Sequence, residues 1–148
     1  MRAEMGYGTQ LEVVAPLMAA VRGGAMVLSY AESRAFAALG LNRFGSVGST
    51  RLDWTGAEIL RTSTAFDGEG LRELLRGLAR PDELAVVFWG NLAVPVVALE
   101  AGAVAVHADA VLECGYECWI HLVDSEVLVE FQDGEGFTAG RVPALLTS

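Results

Sequence analysis

The chain has 148 residues, 53% of them hydrophobic and 20% charged, which suits one packed domain over residues 1–148 and excludes a disordered polypeptide. Its formal net charge is −9, every basic residue is Arg, and there is no Lys. Without clustered positive charge, direct binding to nucleic acid is excluded, and a basic protein partner fits the balance better.

Taken in order, Met1-Arg2-Ala3-Glu4-Met5-Gly6-Tyr7 has no apolar stretch after a basic one, so no secretory signal is expected. Thr9-Gln10-Leu11-Glu12 reads as a capping box opening a helix that runs to Arg22 and stops at Gly23-Gly24. Pro16 conflicts with that helix, and a start at Pro16 is the alternative. Ala25 to Ala31 reads as a strand, Phe36 to Thr50 as an irregular loop or loose hairpin, and Arg51 to Thr55 as a short strand.

Leucines 71, 74, 75 and 78 share one helix face, with Asp67 as N-cap and Pro81 as the stop. Leu84 to Trp89 is a buried strand, Pro95 to Leu99 a second extended piece, and Ala101 to Cys114 a helix. The run from Leu84 to Leu99 is interrupted by Gly90, Asn91 and Pro95 and falls short of the ~20 residues that cross a bilayer. From Glu117 the period becomes two. Strands at 117–122 and 126–131, the turn Asp133-Gly134-Glu135-Gly136 and a strand from Phe137 to Val142 form an antiparallel meander. The fold class is therefore α+β: a mostly antiparallel sheet with a C-terminal three-stranded meander and two or three helices packed on one face. The expected location is the cytoplasm, no membrane is involved, and the two cysteines are thiols.

Charge is distributed unevenly. Residues 1–80 hold nine Arg and eight acids, whereas residues 81–140 hold eleven acids and no Arg. Asp109 and Glu113 are four apart on a helix, and Glu126 and Glu130 lie on one strand with Leu128 between them and so share one sheet face. Like charges gathered this way repel unless something positive meets them, although a charged face also serves solubility alone. Trp119, on the strand face with Glu117 and His121, is the candidate aromatic anchor, while Trp89 reads as core.

His107, Cys114, Cys118 and His121 have donor types that zinc accepts, but three residues separate the cysteines and no paired knuckle exists. A reactive thiolate needs an electropositive setting, and this segment is the most negative in the chain. Neither phosphate-loop glycine pattern is present beyond Gly6-Tyr7-Gly8 and Gly45-Ser46-Val47-Gly48, and no GxSxG occurs. Asp53 and Glu58 could pair with later acids as acid and base, but nothing in the spacing selects them. The expectation is a protein that is not an enzyme, with no cofactor and no bound metal.

Phe88-Trp89-Gly90-Asn91-Leu92-Ala93-Val94-Pro95, the helix after it, Glu117-Cys118-Trp119 and Leu128-Val129-Glu130-Phe131 resemble the small immunity proteins of bacterial toxin systems such as contact-dependent growth inhibition. The resemblance runs from about Leu84 to the C-terminus. It implies neutralisation of a cognate basic, nuclease-like toxin domain without catalysis, with acidic side chains standing in for phosphates. The surface expected to do this is Asp109, Glu113, Glu117, Trp119, Glu126, Glu130, Asp133 and Glu135. The alternative is a small metal- or ligand-binding accessory domain using the His107-Cys114-Cys118-His121 segment.

Overall fold

The computed structural model describes residues 6–48 and 51–144. Residues 1–5, which carry most of the expectation about a secretory signal, and residues 49–50 of the expected loop lie outside them. In chain order the elements are α1 (Leu11–Val21), β1 (Ala25–Val27), α2 (Tyr30–Leu39), a 3-10 turn (Leu41–Arg43), β2 (Gly45–Val47), β3 (Arg51–Asp53) and β4 (Ile59–Ser63). Then follow α3 (Gly68–Arg76), β5 (Leu84–Trp89), β6 (Val97–Glu100), α4 (Ala101–Val106), α5 (Ala108–Leu112), β7 (Glu117–Leu122), β8 (Val127–Gln132) and β9 (Gly136–Arg141). No helix among the described residues is long and apolar enough to cross a membrane.

Seven strands form one antiparallel sheet in the order β1-β6-β5-β7-β8-β9-β4, and β2 and β3 form a separate hairpin. The expected α+β class and C-terminal meander are present, the meander as β7, β8 and β9. Along β5, Ala85, Val87 and Trp89 point to one side, joined there by Cys118, Ile120 and Leu122 of β7 and by Val127, Val129 and Phe131 of β8. Against this side pack Val14 and Leu17 of α1, Leu71, Leu74 and Leu75 of α3, and Val104 and Val111 of α4 and α5. This is the helical layer that the leucine spacing predicts.

The opposite side of the sheet is covered as well. Val86, Phe88, Trp119 and Leu128 pack with Leu28 and Phe44, and Phe36, Leu41 and Leu52 add partly buried contacts. The cover is α2, the 3-10 turn and the β2–β3 hairpin. Continuous apolar sequence in β5 follows from this, because a strand buried on both faces has no polar alternation to show.

Local chemistry explains where the elements begin and end. Ser29 accepts from Glu32 N and the Glu32 carboxylate accepts from Ser29 N, a complete capping box that starts α2 inside the segment expected to be strand and loop. The box expected at Thr9 does not form: Gln10 is the N-cap of α1 without a side-chain bond, and the Thr9 hydroxyl donates to Gly6 O instead. Pro16 lies within α1, whose C-terminus is closed by Arg22 in the left-handed region at φ 53°. The expected helix from Ala101 to Cys114 is two helices, broken at His107, where ψ is 33°.

Candidate functional site

The meander places the candidate residues in very different settings. Trp119 and Glu130 sit opposite each other on β7 and β8, facing the layer formed by α2 and the hairpin. Glu130 Oε2 accepts from Trp119 Nε1 at 2.9 Å and from Leu52 N at 2.7 Å, and its Oε1 accepts from Trp54 Nε1 at 3.0 Å. With Glu130 6% and Trp119 7% exposed, this carboxylate is a buried clamp that fastens the hairpin to the sheet. The expectation that both belong to a partner-binding surface is therefore corrected. A strand face with polar residues reads as solvated only when no second layer lies over it.

The remaining acids divide by position. Asp109 Oδ1 accepts from Gly68 N at 2.9 Å and Asp67 Oδ1 from Gly70 N at 2.9 Å, so both cap the first turn of α3. Glu135 is paired with Arg51, and that bond holds its carboxyl below the usual carboxylate range. Glu126, expected on the strand face of Glu130, stands instead in the turn before β8 at φ 54°, at the end of the sheet opposite Glu117, and its side chain makes no ion pair or hydrogen bond among the described residues. Glu83, 1% exposed, is turned inward and accepts from Ser125 N and Ser125 Oγ, both at 2.7 Å. Arg80 lies within 3.7 Å of Asp82 and 3.4 Å of Asp124, and Arg141 within 3.4 Å of Glu58. Folding thus brings Arg51 and Arg80 of the first half onto Glu135, Asp82 and Asp124 of the second, and the other acids of residues 81–140 have no arginine partner among the described residues.

Glu113, Glu117 and Asp133 remain. Their side chains make no ion pair or hydrogen bond among the described residues. The backbone brings them to one end of the sheet: Glu117 is in register with Gln132, Asp133 N donates to Tyr116 O at 2.9 Å, and Glu113 precedes Tyr116 by three residues. Tyr116 stands among them 79% exposed, and Leu92 and Leu11, 49% and 56% exposed, lie next in the chain to Asn91 and Gln10 of the same end. Tyr116 was not among the expected residues. Its signal is an aromatic residue in the turn Gly115-Tyr116, directly before the acid that opens β7.

Below Tyr116 is a cavity of about 360 Å³ where four segments converge: Val13 of α1, Trp89 and Asn91 at the end of β5, Cys114 after α5, and Glu117. Glu117 supplies the charged group of its lining. Trp89 Nε1 donates to Val111 O at 3.0 Å, and the Cys114 thiol reaches Ala110 O at 3.2 Å, so the polar atoms of both are already engaged.

The donors of the alternative, metal-binding reading are not brought together. Cys118 points to the helical layer, whereas His121, three positions on, points to the opposite face. Among the described residues no group of three or more His, Cys, Asp or Glu side chains is placed to hold a metal ion. Both cysteines are free thiols. Burial, with Glu113 adding to it, pushes Cys114 up to about 11, and burial pushes Cys118 up as well. Desolvation therefore outweighs the acidic neighbours as the cause, and neither thiol is activated.

His121 is 2% exposed, lies against Gly40, and its Nδ1 has no hydrogen-bond partner. Burial lowers its pKa, Arg43 acts in the same direction, and Glu126 and Glu83 oppose them.

With this geometry in place, comparison with known proteins adds no relative. No family model matches the chain, and no curated protein matches it significantly.

Proposed function

We propose that this chain is a non-catalytic binding protein of the immunity type, which captures a basic toxin domain at the end of the sheet formed by Glu113, Tyr116, Glu117 and Asp133. One observation carries the reading. Among the candidate acids at this end of the sheet, all three are left without a cationic partner among the described residues, beside the exposed Tyr116, and Glu117 lines a cavity. An aromatic anchor inside a charged rim is the arrangement in which a few contacts supply affinity while charge sets encounter rate and orientation. The resemblance of the second half to toxin-immunity proteins supports the choice of partner.

The test is capture from the native lysate with the tagged wild-type chain and with the triple variant Glu113→Lys, Glu117→Lys, Asp133→Lys. Glu130 is left unchanged because its loss would strand buried donors. The expected result is a basic protein held at low salt, released by the triple variant, toxic when expressed alone and neutralised by the wild-type chain. A captured protein that is harmless alone, or neutralisation undiminished in the triple variant, would sink the reading.

A further inference from the structure

We propose that the cavity under Tyr116 receives an arginine side chain of that basic partner, with Glu117 as its counter-ion. The inference rests on the reading above and adds the chemistry of the anchor. Its volume of about 360 Å³ is at the small end of ligand pockets, suited to one side chain and too small to enclose a large cofactor. Its apolar lining comes from Val13, Val94 and Trp89, whose indole N–H is already taken by Val111 O, and Gln10 and Asn91 add neutral polar groups. The charge it presents is a single carboxylate, which repels phosphates and other anions.

The placement of that carboxylate is built into the backbone. Gly90 turns the chain at the end of β5, and a Cβ at this position would collide with Glu117 Oε1 and sit 2.7 Å from Glu117 Cγ. The Glu117 side chain therefore lies in the space that a larger residue at 90 would fill, folded back over the turn and lining the cavity. No Arg of the chain pairs with it among the described residues.

An apolar portion of the wall, the exposed Tyr116 among the lining residues and one carboxylate select a cation with an apolar stem and a flat head. Arginine meets all three: its methylenes suit the walls, its plane stacks on Tyr116, and its fork of N–H donors matches a carboxylate. The lysine ammonium is a more strongly hydrated point charge without a stacking face, and gains less.

The experiment is a titration of the 15N-labelled full chain with the peptide acetyl-Gly-Arg-Gly-amide, followed by NMR, with the lysine peptide and the neutral citrulline peptide in parallel. The expected result is saturable shifts at the Trp89 indole and at the Gly90, Gly115 and Tyr116 amides with arginine, weaker ones with lysine, and none with citrulline. Glu117→Gln is expected to weaken arginine binding about tenfold. Gly90→Ala keeps the charge but displaces the carboxylate and should weaken binding too. Tyr116→Ala, at an exposed position, repeats the test where Gly90→Ala perturbs the fold. No shifts at the cavity up to about 50 mM peptide, well beyond the millimolar range of weak binding, would overturn the proposal. Binding undiminished in Glu117→Gln would also overturn it. The two readings fail separately. If the arginine peptide does not bind while the triple charge reversal still abolishes toxin capture, the cavity falls and the immunity reading stands. If the peptide binds as expected but no toxic partner exists, the cavity stands and the immunity reading falls.

Discussion

Removing the Glu130 carboxylate strands three N–H groups at once: the indoles of Trp54 and Trp119 and the Leu52 amide. A buried donor without a partner costs about 1–3 kcal/mol, and part of this loss can be recovered by water reaching the half-buried Trp54 and Leu52. Glu130→Ala is therefore expected to lower unfolding stability by roughly 2–4 kcal/mol in urea titrations, with Glu130→Gln losing less because one acceptor remains. A surface contact residue would behave in the opposite way, weakening binding and leaving stability unchanged. His121 gives a second test at this scale. Its pKa is lowered in the folded chain by burial and by Arg43, against the pull of Glu126 and Glu83. As pH falls below the ordinary histidine value of about 6.5, the unfolded chain takes up a proton that the folded chain refuses. Stability is full above that value and declines as pH drops towards the lowered one. The urea midpoint is expected to fall between pH 7.5 and pH 5.5, and His121→Gln should flatten that dependence. An equal decline in the variant would place the acid sensitivity elsewhere.

Within the elements, α1 carries the clearest local conflict, since Pro16 removes a backbone donor from an eleven-residue helix. Pro16 is exposed, so Ala there adds a hydrogen bond without opening a cavity. Against this stands the smaller gain in unfolded-chain entropy. Pro16→Ala is expected to stabilise by about 1–2 kcal/mol in the same denaturation assay, and a loss of stability would mean that the ring's packing outweighs the missing bond. The conflict was visible in the sequence, as were α3, β5 and the whole meander, because their signals are local: leucine spacing, a six-residue apolar run, and strict alternation. The cover over the second face of the sheet was not visible. Its helix, α2, is short and mostly small-residued, and its best sign was the Ser29-x-x-Glu32 box rather than an apolar stripe. Missing that layer moved Trp119, His121 and Glu130 from core to surface, since alternation alone does not show what lies over a strand. Glu113, Glu117 and Asp133 were legible as acids, but their isolation from arginine is a property of long-range contacts that spacing does not encode.

For the whole molecule, the pattern of paired and unpaired acids has an energetic consequence. Arg51, Arg80 and Arg141 each approach acids distant in sequence or in a neighbouring turn, while Glu113, Glu117 and Asp133 lie at one end of the sheet without a cation among the described residues. In the free protein these three repel, and a bound cation would relieve that repulsion. Neutralising them together with Glu113→Gln, Glu117→Gln and Asp133→Asn is therefore expected to raise Tm by about 1–3 °C at low ionic strength, the size of surface electrostatic effects in a chain of this length. Neutralising Glu58, Asp124 and Glu135, which hold arginines, should leave Tm unchanged or slightly lower. At 1 M salt the screening length falls to about 3 Å, and the gap between the two triple variants should close. A stabilising change that simultaneously abolishes capture of the basic partner would identify the cluster as charge retained for binding against the interest of the fold. Equal Tm changes in both triple variants would show instead that the cluster carries no unrelieved repulsion, and that its acids are ordinary solvated surface.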